Sequence, residues 1–218
     1  GRGSHFNHVA SSKPGTIQRE NQIVSTDAAW SAVLKPVKNA DRSRDLYLDR
    51  SQRAAFIQAA APDVAAFMKA LATLPLRPGA MAALTVGDYN RKLKTLTVES
   101  DKANAGRRIS LPATTAQIFA DASRGKLPDA FMFTRDDCAQ WEKYKWRGPV
   151  RDAAVTAGMP DGCSLYTLRH SVITDLVHAG ADLLTVAQIS GTSLRMIEQH
   201  YGHLRGNVAA AALEAVAL

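Results

Sequence analysis

Two short stretches of this chain alternate polar and apolar residues with a two-residue period, Leu93-Lys94-Thr95-Leu96-Thr97-Val98 and Arg108-Ile109-Ser110-Leu111. Between them lie turn formers, Asp101-Lys102-Ala103-Asn104-Ala105-Gly106, so the pair reads as one β-hairpin. Around it the apolar spacing is helical. Asp49 or Ser51 can cap a helix through Arg53–Ile57, and Pro62 suits the first turn of a second that buries Val64, Phe67, Met68 and Leu71. After the hairpin the pattern predicts helices over roughly 113–123, 138–147, 149–157, 165–179, 182–190, 193–201 and 207–217, with Gly148-Pro149, Gly158, Gly180 and Gly191 as breaks. The expected fold is mainly α with a small antiparallel β-sheet, an α+β class.

At 218 residues and 46% hydrophobic content the chain can fill one large domain, or one domain with an extension. Gly1–His5 reads as a cloning scar, and residues 6–45 as a polar arm or interdomain linker. No stretch approaches the ~20 apolar residues of a membrane helix, and the N-terminus has no basic segment followed by a long apolar run, so a soluble cytoplasmic protein is expected. Cys138 and Cys163 lack metal-site or disulfide spacing and are expected to be buried free thiols. Lys and Arg number 27 against 20 Asp and Glu, a net charge of +7 that points weakly to polyanions.

Serine-hydrolase, dinucleotide and phosphate-loop signatures are missing from the sequence. What remains is a scattered set of cations and one tyrosine. Taken singly, Arg77 reads as a surface arginine where the chain turns, and Lys102 as a solvated loop lysine. Arg169 shares a helix face with Tyr166 beside the stripe Leu165, Leu168, Val172 and Leu176, and suits an anion clamp or a structural salt bridge equally. Tyr201 continues the stripe Leu194 and Ile197, which favours a core tyrosine.

Their order and spacing carry more. An arginine after paired helices, a lysine in a hairpin, Tyr166-Thr167-Leu168-Arg169-His170 on a helix and a tyrosine some thirty residues later resemble the catalytic domain of the tyrosine recombinases, the phage-type integrases. The resemblance covers about residues 45–218. It runs from Leu76-Arg77-Pro78-Gly79 through Leu84-Thr85-Val86-Gly87-Asp88, then from Leu168-Arg169-His170-Ser171 through Gly191-Thr192-Ser193 to Tyr201. It implies a catalytic domain over 46–206 that cleaves and rejoins DNA through a 3′-phosphotyrosine, with no metal or cofactor. Arg77 and Arg169 would hold the phosphate, Tyr201 would attack, Lys102 would protonate the leaving oxygen, and Tyr166 and Thr192 would stand where the family usually has histidine, and histidine or tryptophan. Ala80 replaces an acidic residue common in the first arginine box.

The partners implied are double-stranded DNA and further copies of the chain in a tetramer on it, with 207–218 docking as a helix on a neighbour. An N-terminal DNA-binding domain would complete the clamp, and a bacterial or phage origin is expected. Lys35, Lys38, Arg42 and Arg44 in the arm, and Lys143, Lys145, Arg147 and Arg151 interleaved with Trp141, Tyr144 and Trp146, are the candidate backbone-phosphate contacts, although the second cluster also suits a solvated face. Two rivals stay open: a type IB topoisomerase-like nicking-closing enzyme, and an integrase remnant that binds DNA without cleaving it, motivated by Tyr166, Thr192 and Ala80.

Overall fold

The structure is a computed structural model that describes residues 46–99, 106–205 and 213–215. Helix α1, Arg50–Gln58, starts at Asp49, whose carboxylate accepts from the Gln52 amide at 2.8 Å while the Gln52 side chain accepts from the Asp49 amide. That amide bond holds the Asp49 carboxyl below its ordinary pKa. Helix α2, Pro62–Leu71, opens on its proline and buries Val64, Phe67, Met68 and Leu71 at the expected spacing. Phe67 is the hub of the main core. Its ring stacks on Trp141 at 6.0 Å and meets Trp146 and Phe133 at 5.8 and 6.1 Å.

A short helix α3, Pro78–Ala83, follows, which the sequence pattern did not predict. At six residues it is too short to be stable alone, and burial of Pro78, Met81 and Ala82 holds it. The sheet has the order β1-β2-β3, all antiparallel, with β1 Tyr89–Asn90, β2 Thr95–Val98 and β3 Arg107–Ser110. Leu93 and Lys94 belong to the turn before β2 rather than to the strand. Lys94 has φ +50, and the Leu93 amide donates to Asn90 Oδ1 at 2.9 Å. Register pairs Leu96 with Ile109 and Val98 with Arg107, so the period that buries Leu96, Val98 and Ile109 also turns Arg107 inward.

Helix α4, Ala113–Ala122, packs on α2. The expected break at Gly148-Pro149 is absent: α5 runs unbroken over Lys143–Thr156, and residues 138–142 are not helical. A proline inside a helix costs about 3 kcal/mol, but Trp146 and Val150, on either side of it, are both buried. Gly148 has no Cβ to meet the proline ring, which eases the helical conformation before proline. Both cysteines also differ from expectation. Cys138 is exposed and Cys163 half-buried; Cys138 lies in a turn with φ +63, where its side chain faces away from the core.

Helices α6, Leu165–His178, α7, Leu183–Ser190, and α8, Leu194–Tyr201, complete the described fold with a closing 3-10 turn at Gly202–Arg205. Asp182 caps α7 by accepting from the Thr185 amide at 2.8 Å, and Ser193 caps α8. Helix α6 belongs to two cores. Leu165 and Leu168 sit in the main one, whereas Ile173 and Val177 join Leu183, Val186, Ala187 and Ile197 in a smaller second one. The chain ahead of α1 is tied to the same helix. Leu48 donates its amide to Ser171 Oγ, Tyr47 Oη donates to Asp175, and Arg53 pairs with Asp175.

Of the predicted arm and tail, residues 1–45 lie outside the described residues, as does 207–218 except for 213–215. Among the described residues no helix is long and apolar enough to cross a membrane, and no group of three or more His, Cys, Asp or Glu is placed to hold a metal ion.

Candidate active site

Arg77 and Arg169, 92 positions apart in sequence, come to one cavity of about 250 Å³, bordered also by Tyr166, His170, Thr192 and Tyr201. Arg77 is the residue before α3, held at φ −62 and ψ 140, and Pro78 starts the helix behind it. Arg169 comes from the middle of α6 and is 8% exposed. Its Nη1 donates to the Pro75 carbonyl, two residues before Arg77, and to the Ser190 carbonyl at the end of α7 at 2.7 Å. Burial, and then the nearby charge of Arg77, push its pKa down to about 10. It stays charged at neutral pH, so the cavity holds two cations close together and favours an anion.

Tyr201 ends α8, half-buried and packed against the smaller core, and its Oη lies 2.9 Å from His170 Nδ1. The rings pack at 5.2 Å between centroids, tilted by 35°. Tyr166, in the first turn of α6, is 53% exposed and borders the same cavity.

Thr192 reaches the cavity because α7 ends abruptly. Gly191 takes φ +68, and the Thr192 amide donates back to the Ala187 carbonyl at 3.0 Å. A β-carbon on Gly191 would lie 2.7 Å from Cζ and 2.8 Å from Nη1 of Arg107, and would also strike Nη2. Arg107 was not anticipated from sequence. Its inward face in the β2–β3 register was the available signal, and its charge adds to the field on Arg169. Gly191→Ala is expected to destabilise the fold by about 1–2 kcal/mol through the left-handed backbone alone, and more if Arg107 cannot move. A urea melt checks this; a variant as stable as the parent would show that the position tolerates a side chain.

Lys102, Lys35, Lys38, Arg42 and Arg44 lie outside the described residues. Lys143, Lys145 and Arg147 are exposed on the first turns of α5, and Lys143 and Arg147 flank the exposed Tyr144 ring at 6.0 and 5.5 Å. Trp141 and Trp146 are not part of that surface: both are buried against Phe67. Two of the three aromatics read from sequence are therefore core, Trp146 on the inward face of α5 and Trp141 in the non-helical segment before it.

The sequence pattern of the phage integrase family matches residues 47–207. The chain belongs to that family. Solved integrase and recombinase structures are similar to it. The Tn1549 transposon integrase in complex with circular intermediate DNA superposes with a TM-score of 0.70 at 16% identity, over 93% of this chain and 76% of that one. XerA recombinase gives 0.62 at 20% identity over 84% and 68%. The catalytic domain of bacteriophage HP1 integrase gives 0.59 at 15% identity over 77% and 93%. No curated protein sequence matches. At these identities the structural likenesses establish the fold, a mainly helical tyrosine recombinase catalytic domain with a small antiparallel sheet.

Proposed function

We propose that this integrase-family chain cleaves and rejoins DNA strands in site-specific recombination, through a covalent 3′-phosphotyrosine at Tyr201. One observation carries the reading: Arg77, Arg169, Thr192 and Tyr201, from four separate parts of the chain, border a single cavity. Transfer of a phosphodiester without a metal concentrates negative charge on the non-bridging oxygens, and two permanently charged guanidinium forks are suited to hold it. Thr192 offers a hydroxyl to the same phosphate. Tyr201 attacks phosphorus, and the 5′-oxygen leaves with a proton from Lys102, a role taken from the family resemblance. The phosphotyrosine bond conserves the energy of the broken linkage, so a second 5′-hydroxyl can reverse the step.

DNA is the partner in this reading, as it is for the Tn1549 integrase complex. Lys143, Lys145 and Arg147 grip backbone phosphates, with Lys35, Lys38, Arg42 and Arg44 in an arm over 6–45 adding to the hold. The catalytic domain spans 46–206, and 207–218 docks on a neighbouring copy in a tetramer on DNA. Deleting 207–218 is expected to abolish that assembly while single-site binding persists; unchanged assembly on DNA would refute the docking.

The decisive experiment uses a nicked duplex carrying the cognate core site, on which the cleaved strand cannot be rejoined. A denaturant-resistant protein–DNA adduct, mapped to Tyr201 by mass spectrometry of the digested complex, is the expected product. Exchange of strands between two duplexes separates a recombinase from a nicking-closing enzyme. Retained DNA binding with no adduct would instead support the non-cleaving remnant.

A further inference from the structure

We propose that His170 is the general base that takes the proton of Tyr201 as the phenol attacks phosphorus. The assignment rests on Tyr201 being the nucleophile. An ordinary phenol, with a pKa of about 10, is ionised in only about one molecule in a thousand at neutral pH, so attack needs an acceptor within hydrogen-bond reach. Arg77 and Arg169 are donors with no accepting atom. Tyr166 is a second phenol, a far poorer acceptor than a neutral imidazole. His200 borders the cavity too, but its ring meets Tyr201 edge-on, with centroids 6.5 Å apart at 69°. His170 places Nδ1 2.9 Å from the Tyr201 oxygen, inside the distance over which a proton is passed.

Its mounting suits the task. His170 follows Arg169, which is fixed to the Pro75 and Ser190 carbonyls, so the base and the phosphate clamp are set by the same turn of α6. When Tyr201 donates, the neutral ring carries its own proton on Nε2. In the forward step the phenolic O–H bond breaks and its proton passes to Nδ1. The freed electron pair forms the Oη–P bond, the P–O5′ bond breaks, and the 5′-oxygen leaves as a hydroxyl with the proton from Lys102. On rejoining, the imidazolium returns its proton to the departing phenolate.

Among the described residues, the other ionisable groups bordering the same cavity are Arg77 ahead of α3, Tyr166 and Arg169 from α6, and His200 and Tyr201 from α8. The closing turn carries His203, which is exposed. Arg77 and Arg169 place positive charge on the same cavity. A bound phosphate supplies the negative charge that an imidazolium then needs.

The test is the single-turnover rate of adduct formation by the full chain on the nicked core duplex, followed across the imidazole range of pH. The wild-type rate is expected to fall in proportion to the unprotonated imidazole as pH drops. His170→Gln keeps a carbonyl to accept from the phenol but cannot take its proton. It is expected to slow cleavage by roughly 10²–10⁴-fold and to remove the acid limb, with DNA affinity little changed. Added imidazole is expected to restore part of the rate in His170→Ala, and His200→Gln is expected to keep the limb. A His170→Gln rate and pH profile like the wild type's, while Tyr201→Phe forms no adduct, would overturn the base and leave the nucleophile standing. Loss of the limb in His200→Gln would overturn it equally, and a wild-type chain that forms no adduct would overturn both assignments. If His170→Gln fails to fold, the imidazole rescue of His170→Ala and the His200→Gln profile decide the matter.

Discussion

Tyr201→Phe is expected to abolish the covalent DNA adduct outright, with the rate falling by more than about 10⁴-fold because the attacking atom itself is gone. The rest of the site should survive. The phenylalanine ring keeps the packing against His170 and His200, and the hydrogen bond to His170 is lost, a cost of about 0.5–1.5 kcal/mol. Thermal unfolding should therefore shift little and DNA affinity should hold, which separates loss of chemistry from loss of fold. Denaturing gels of the trapped complex and a calorimetric melt check both halves. An adduct that persists in Tyr201→Phe but disappears in Tyr166→Phe would move the nucleophile to Tyr166, the other phenol bordering the cavity.

Arg169 presents the second large effect, one on activity with little net effect on stability. The pKa, depressed to about 10 from the ordinary guanidinium range, means that holding the buried charge costs the fold roughly 3 kcal/mol. The sign follows from linkage: the folded state binds this proton less tightly than the unfolded chain, so the cost is present at neutral pH and is relieved as pH rises past about 10. Arg169→Met removes that cost but leaves the Pro75 and Ser190 carbonyls without their donor, roughly 1–3 kcal/mol each. The two effects largely offset, so the variant is expected to fold with near-parental stability while cleavage falls by about 10²–10³-fold or more. Arg169→Lys should do little better. One ammonium cannot serve two carbonyls and a phosphate through a planar fork. A cleavage rate close to wild type in either variant would remove Arg169 from the chemistry.

How much of this was legible beforehand depends on how local each cause is. The cap at Asp49, the proline opening α2, the buried set Val64, Phe67, Met68 and Leu71, and the pairing of β2 with β3 are written within a few residues of sequence, and the structure has them. Helix α3 is not, because six residues become helical only once Met81 and Ala82 find the core. Nor is the continuity of α5 across Pro149, where burial on both sides outweighs a strong local breaker. Trp141 and Trp146 misled for a related reason: cations beside aromatics resemble a nucleic-acid surface until Phe67, far away in sequence, claims the rings. At the site, Arg77, Arg169 and Tyr201 came from ordered spacing shared with a family. The 31-residue reach from His170 to Tyr201 and the placement of Arg107 behind Gly191 could not, since both depend on how α6, α7 and β3 dock.

The division of α6 between a large core and a small one means that the two halves of the site have unequal lifetimes. Arg77 stands on the main core around Phe67, whereas Tyr201 is carried by α7 and α8, whose apolar support from Ile173, Val177, Leu183, Val186, Ala187 and Ile197 is far thinner. Amide hydrogens of α7 and α8 are therefore expected to exchange with solvent through openings that leave α2 and α5 protected. In those openings Tyr201 leaves the cavity while Arg77 stays on the main core. On the proposed reading, in which Tyr201 is the nucleophile, such openings would leave DNA bound but uncleaved, and whatever seats α8 against α6 would restore the site.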